Sequence, residues 1–370
     1  MAKKKVAVLT GGGDAPGLNA VIYALVRACS PKYDLIGYKF GYRGLYNNDF
    51  VELTPQTTSG ILHRGGTILY SSNKDNLFDY TVEENGEKVK KDVSDVAVQN
   101  MKNEGVDALV VLGGDGTLTS ARDFARKGVN VVGVPKTIDN DLASTEATFG
   151  FDTAVNIVTE NLGRLHTTAE SHHRVMVAEV MGRSSGWIAL HSGIAGSADV
   201  ILIPEIPYTL EKVIDKIKAR EAAGKHFTII VVTEGAAEKG GQAVVGRVVE
   251  DSPDAIRFGG IAAKLANDIE KHVTNEVRHC TFGHIQRGGD TSPADRLLSA
   301  RYGVKAADMI EKGQFGNMVC LRNGVMDFES LEVVLGSSAT GSTAMGLSKR
   351  VSLDNELIQV GKSLGISFGD

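Results

Sequence analysis

Leu109-Val110-Val111-Leu112-Gly113-Gly114-Asp115-Gly116-Thr117 is an apolar strand that runs into a loop of glycines, one carboxylate and one hydroxyl. One unit later, Val131-Val132-Gly133-Val134 runs into Pro135-Lys136-Thr137-Ile138-Asp139-Asn140-Asp141. Uninterrupted apolar runs of this length suit strands covered on both faces of a parallel sheet. A helix is expected over residues 118–127, and the unpaired amides at its start bind phosphate. Asp115 beside them suits magnesium, a hard cation that prefers carboxylate, water and phosphate oxygens. Neighbouring parallel strands would bring the second loop to the same sheet edge. There Asp139 suits a base that accepts a hydroxyl proton, a role worth roughly 10²–10⁴ in rate. Lys136 reads as a phosphate ligand and Asp141 as a helix cap. Phosphate, metal and base in one crevice indicate phosphoryl transfer.

The same alternation extends in both directions. A strand over 6–9 opens into Gly11-Gly12-Gly13-Asp14 and a helix over 18–29, where doubly wound folds bind anions. After residue 150, strands over 175–180, 200–203 and 227–233 alternate with helices over 151–168, 186–195 and 210–223. This rhythm gives an α/β protein with two doubly wound, mostly parallel units. Residues 80–91, with Asn85-Gly86 at the centre, read as an exposed hairpin, and 236–254 as a surface insertion.

A net charge of −5 over 370 residues supplies no basic field for wrapping nucleic acid. Cys29, Cys280 and Cys320 are widely spaced in apolar runs, which suits reduced core thiols. A short strand and a glycine loop follow Met1-Ala2-Lys3-Lys4-Lys5 directly, in place of the apolar core of a signal peptide, and no run approaches the roughly 20 residues of a membrane span. A cytoplasmic protein that binds small molecules and no membrane is therefore expected. The first glycine loop lacks the dinucleotide fingerprint, because Pro16 takes the third glycine's place. Gly361-Lys362-Ser363 is no P-loop, because Glu356 stands where its first glycine would be.

The second half supplies cations for a second anion. His172-His173-Arg174 starts one strand, Met181-Gly182-Arg183 ends it, Thr233-Glu234-Gly235 ends another, and Arg278 begins a later one that closes as Gly283-His284-Ile285-Gln286-Arg287. Arginine grips phosphate with two parallel donors, and Glu234 among the arginines suits sugar hydroxyls.

Together these loops resemble the phosphofructokinase family. Residues 10–20, 113–117, 135–142, 180–183 and 283–289 match five of its motifs in the family's order. The resemblance implies two lobes with the site in the cleft between them: residues 1–150 with about 286–336 for the donor, and 151–285 with about 337–370 for the sugar phosphate. It implies that Gly12, Gly114, Gly116, Thr117 and Lys136 touch donor phosphates with Asn73 and Lys74 in the same donor site, Asp115 holds Mg²⁺, and Asp139 is the base beside Thr137. Thr137, Arg174, Met181, Gly182, Arg183, Glu234, Arg278, His284 and Arg287 would bind the acceptor, fructose 6-phosphate. Arg174 and Arg278 would reach a neighbouring subunit's site, so a homodimer or homotetramer is implied.

Two positions bear on the donor. Pyrophosphate-dependent members have aspartate where this chain has Gly116, and glycine leaves room for the α-phosphate of ATP. Lys136 stands where many ATP users have glycine and pyrophosphate users have lysine. ATP is the expected donor, with pyrophosphate as the alternative. Asn73 occupies the place of an arginine that bridges the two substrates' phosphates, with Lys74 next to it, and Tyr70 replaces a usual glycine. These changes keep another acceptor, such as sedoheptulose 7-phosphate, in view. A binding protein without chemistry would have no need of Asp115, Asp139 and Arg174. Arg27 and Lys225 match the bacterial regulatory pocket, but Tyr23, Asp49, His166 and Ala223 replace its other basic residues, so weak or absent control by ADP or phosphoenolpyruvate is expected.

Overall fold

The computed structural model describes residues 3–84, 86–248, 256–336 and 348–370. The hairpin tip Asn85, the last part of the expected insertion (249–254) and the start of the expected second-lobe return (337–347) lie outside the described residues. Strands β1 (Lys4–Thr10), β2 (Tyr33–Tyr38) and β3 (Phe50–Leu53) come first, followed by a hairpin of β4 (Tyr80–Glu84) and β5 (Glu87–Lys91). Next come β6 (Val106–Gly113), β7 (Val131–Pro135), β8 (Val175–Val180), β9 (Val200–Leu202) and β10 (Thr228–Thr233). A short pair, β11 (Val245–Val248) with β12 (Ile256–Phe258), precedes β13 (Val277–Thr281), β14 (Asn317–Arg322) and β15 (Val325–Ser330).

Seven strands form one sheet in the order β15-β14-β7-β6-β1-β2-β3, parallel except at its two edge pairs. Four parallel strands form a second sheet in the order β13-β8-β10-β9. Side chains alternate across each strand, so each sheet builds two cores. On one face of the large sheet Val6, Val8, Val110 and Val132 meet the helices Leu18–Cys29 and Pro293–Glu311. On the other face Ala7, Leu9, Leu109, Val111 and Val131 meet Leu118, Ala121 and Phe124 of the helix Asp115–Arg126. The small sheet repeats the plan. Met176, Ala178, Ile229 and Val231 pack on the helices Phe151–His172 and Trp187–Ala195, while Val175, Val177, Ile230 and Val232 pack on Leu210–Ala222 and Ile261–Glu270. Each buried valine, leucine, isoleucine, methionine or phenylalanine among them contributes about 1.5–3 kcal/mol by leaving water.

The helix after β6 begins at Asp115, earlier than the expected residue 118. Gly114 is its N-cap, with extended backbone, so Asp115, Gly116 and Thr117 form the first turn, where a carboxylate faces the positive end of the helix dipole. A side chain on Gly133 would come within 3.0 Å of Leu118, so this glycine lets the helix lie close on β7. Among the described residues no helix is long and apolar enough to cross a membrane.

Candidate active site

Register gathers the three loops that the sequence singled out. Thr10 of β1 pairs with Leu112 of β6, and Gly113 of β6 pairs with Pro135 of β7. The chain therefore leaves all three strands side by side at one edge. Thr117 fills the space between two of them: a Cβ on Gly113 would stand 2.3 Å from its Cβ, and one on Gly11 2.5 Å from its Cγ2. Gly12 takes φ 76°, and a side chain there would lie 3.3 Å from both the Thr117 hydroxyl and the Lys136 ammonium. Lys136 is buried and donates to the Gly13 carbonyl, and burial with the nearby Arg287 charge lowers its pKa to about 7. Arg287 in turn donates to the Asp14 carbonyl at 2.8 Å. Around Gly116 the space is open: a Cβ at this position would have no heavy atom of the rest of the chain within 4 Å.

A cavity of about 400 Å³ opens beside this loop, lined by Gly12, Asp14, Thr67, Tyr70 and Asn73 among others. Ser72 accepts from the Gly12 amide at 3.0 Å, which ties the segment carrying Asn73 to the glycine loop. Lys74 is exposed next to it. Tyr70 stacks on Phe40 with ring centres 4.9 Å apart, and both residues have positive φ.

Asp139 is 4% exposed, and its Oδ1 is buried without a hydrogen-bond partner. Its amide donates to the Thr137 hydroxyl at 3.1 Å, and its carbonyl accepts from Ser185 at 3.3 Å. Three other carboxyls feel its charge. Burial, with Asp139 adding and Arg183 opposing, raises Asp115 to about 6. Burial and Asp139 raise Glu234 to about 7, and burial with Asp139 and Asp115 drives Asp141 upward as well. Asp141 starts no helix, contrary to the expected cap; the chain after it forms turns, and Asp141 belongs to this acidic group.

The small sheet closes the site from the other side. Gly182, at φ 139°, turns the chain where a side chain would strike the Ser185 carbonyl at 2.5 Å. The turn places Arg183, whose amide donates to Glu234 at 3.1 Å. Met181 donates its amide to buried Gln286 at 3.3 Å, which links it to the one-turn helix Gly283–Arg287 carrying exposed His284. Arg174 and Arg278 stand elsewhere. They occupy the opposite ends of β8 and β13 and both pair with Glu276. The seven steps along β8 from Arg174 to Met181 separate them by about 23 Å.

Among the described residues no three histidine, cysteine or acidic side chains converge as a metal cage. One buried carboxylate, Asp115, beside helix amides and other acids fits Mg²⁺ held mainly by waters and phosphate oxygens. Sequence reading missed Lys349. Its ammonium donates to the Glu146 carbonyl at 2.6 Å, and its amide to the Asp141 carbonyl at 2.7 Å. No local pattern marks a residue that joins a loop about two hundred positions away.

The chain matches the family model "Phosphofructokinase" over residues 5–310. It is 65% identical over 371 residues to "ATP-dependent 6-phosphofructokinase 2" of Clostridium perfringens, covering 99% of both chains. It is 49% identical to "Pyrophosphate--fructose 6-phosphate 1-phosphotransferase" of Streptomyces coelicolor, over 86% of this chain and 90% of that one. Phosphofructokinase from Saccharomyces cerevisiae superposes with a TM-score of 0.76 at 27% identity, over 89% of this chain and 45% of that longer one. With the paired loops, the acidic cluster and these likenesses in place, the chain belongs to the phosphofructokinase family.

Proposed function

We propose that this chain transfers the γ-phosphoryl group of ATP to the C1 hydroxyl of fructose 6-phosphate, giving fructose 1,6-bisphosphate, as a glycolytic enzyme of the cytoplasm. The observation that carries the chemistry is the buried, unpartnered Oδ1 of Asp139 between the glycine loops and Met181–Arg183. Asp139 Oδ1 takes the C1 hydroxyl proton as that oxygen bonds to the γ-phosphorus and the bond to the bridging oxygen of ADP breaks. Amides at Gly12, Gly114, Gly116 and Thr117, with Lys136, hold the donor phosphates. Mg²⁺ at Asp115 supplies charge neutralisation on the phosphates when bound. Glu234, Met181, Gly182 and Arg183 orient the sugar, with Thr137, His284 and Arg287 beside it. The donor is read onto the large-sheet lobe and the sugar onto the small-sheet lobe.

ATP is favoured by the open space at Gly116 and by the 65% identical relative named as ATP-dependent. Lys136 at the glycine loop and the relatives named for pyrophosphate support that donor as the second reading. Arg174 and Arg278, turned away from their own lobe's site, are assigned to a neighbour's sugar phosphate, so the working unit is a homodimer or homotetramer. A coupled assay of ADP release over fructose 6-phosphate and sedoheptulose 7-phosphate, run beside a pyrophosphate arm, tests the reading. ADP formation fastest with fructose 6-phosphate is expected; turnover with pyrophosphate alone overturns the donor.

A further inference from the structure

Asp139 has an unusual problem of position. A base must keep its reactive oxygen free, and Asp139 Oδ1 has no donor holding it. Its place must therefore be fixed through the backbone on either side. Upstream, the Thr148 hydroxyl donates to the Thr137 carbonyl at 2.7 Å. Downstream, Asn140 takes left-handed backbone, φ 52°, a turn that asparagine tolerates better than most residues.

Lys349 ties this turn down from far along the chain. Its backbone amide donates to the Asp141 carbonyl at 2.7 Å. Its ammonium lies 3.4 Å from Asn140 Oδ1, 3.3 Å from the Thr145 carbonyl and 2.6 Å from the Glu146 carbonyl. Asn140 Oδ1 also accepts from the Thr148 amide at 3.2 Å, so both strands of the loop meet there. One residue thus holds four oxygens drawn from both ends of the segment that follows the base.

Lys349 is itself fixed from the small-sheet lobe. The Trp187 indole donates to its carbonyl at 2.8 Å, and its ammonium stands 5.3 Å from the centre of the same ring system. Two residues on, the Val351 amide donates to Glu205, which also accepts from Gly186. Ser185, next to Gly186, donates to the Asp139 carbonyl. The clamp therefore runs from the helix Trp187–Ala195 through Lys349 to the loop that carries Asp139.

We infer that Lys349 is a positioning residue for the phosphoryl-transfer step: it holds the Asp139–Glu146 loop so that the base carboxylate meets the acceptor hydroxyl. This inference rests on Asp139 being the base. Displacement of a reacting group by about 1 Å costs as much as 10²-fold in rate. Lys349→Met keeps the length and removes the charge, and should lower kcat about 10–100-fold while the KM values of ATP and fructose 6-phosphate change less than about threefold.

The deciding measurement is kcat in four forms of the full-length protein: native, Lys349→Met, Asp139→Asn and the double variant. If Lys349 acts through Asp139, Lys349→Met lowers kcat about 10–100-fold in the native background and less than about twofold in the Asp139→Asn background. Equal losses in both backgrounds, or no loss in the native one, overturn the inference. An Asp139→Asn form with native turnover instead overturns the base assignment, which separates the two failures. Trp187→Phe removes the indole donor to the Lys349 carbonyl, shrinks the ring beside the ammonium, and serves where Lys349→Met fails to fold. It should lower kcat in the same direction by about threefold or more, and native kcat in that variant counts against the clamp.

Discussion

The ammonium of Lys136 and the Cα of Gly12 are close enough that any side chain on the glycine would crowd the lysine, at 3.3 Å. The lysine is buried against a loop with little room for a competing side chain, and that burial lowers its pKa to about 7.

Donor affinity should consequently fall as pH rises above about 7. A phosphate favours the charged amine, so binding takes up a proton wherever the free lysine is neutral, and affinity drops by up to about tenfold per pH unit. Lys136→Met should weaken donor binding and flatten this dependence. Isothermal titration with a non-hydrolysable ATP analogue across pH 6 to 9 checks it; an equal slope in the variant refutes it.

Gly116→Asp should discriminate against ATP. The new side chain would start in open space, with no heavy atom of the rest of the chain within 4 Å of its Cβ, where the donor phosphates are proposed to lie. A carboxylate there repels an α-phosphate, and a rise in the KM of ATP of about tenfold or more is expected, with a smaller change for pyrophosphate. Steady-state kinetics with each donor decide the matter, and an unaltered ATP constant would remove Gly116 from the donor argument.

Without ligands, the protein should become more stable as pH falls from about 7 toward 5. Asp115 near 6, Glu234 near 7 and the raised Asp141 bind protons in the folded state before the unfolded chain does, so protonation in this window favours the fold. Asp295, raised to about 6 by burial, adds to the same trend, and His191, lowered by burial, is a single group opposing these four carboxyls. Ion-paired acids such as Asp308, lowered in the fold, withdraw support only at lower pH. Melting midpoints measured in chelator should rise on acidification, and Asp141→Asn should reduce the rise; a midpoint that climbs with pH would contradict it.

Arg278→Ala should raise the KM of fructose 6-phosphate while leaving ATP binding near native. Because Arg174 and Arg278 face away from their own lobe's site, two defective chains should complement each other. Mixing Arg278→Ala with Asp139→Asn subunits by unfolding and refolding should restore turnover at low fructose 6-phosphate, where neither variant alone is fast. No gain over the separate samples would place Arg278 at its own chain's site.

Much of this is legible in the sequence. The runs 109–112 and 131–134 are apolar throughout and lie in the sheet centre as β6 and β7, because parallel strands under two helix layers offer no wet face. The helix start is hidden because Gly114, with no side chain to signal it, serves as the cap in place of a later residue. Asp141 misleads for the opposite reason: its residue type suits capping, but its neighbours are other acids and not helix amides. Lys349 leaves no trace at all, since its partners Asn140, Asp141 and Glu146 are supplied by folding. The stacking of Phe40 on Tyr70 is equally invisible, being a contact between two loops.

The order of strands also constrains how the molecule is made. β14, from residues 317–322, lies between β7 and β15 in the large sheet, and Ser367 bridges Val200 at the edge of the small one. Ile201 donates to the Ser367 carbonyl, and Phe368 is buried in that lobe's core. During synthesis, then, neither lobe can seal its sheet when its first strands emerge. The nascent chain must hold two unfinished edges, β7 and β9, until its last segments arrive, and those exposed edges are where a growing polypeptide of this kind is open to mispairing and to the attention of chaperones.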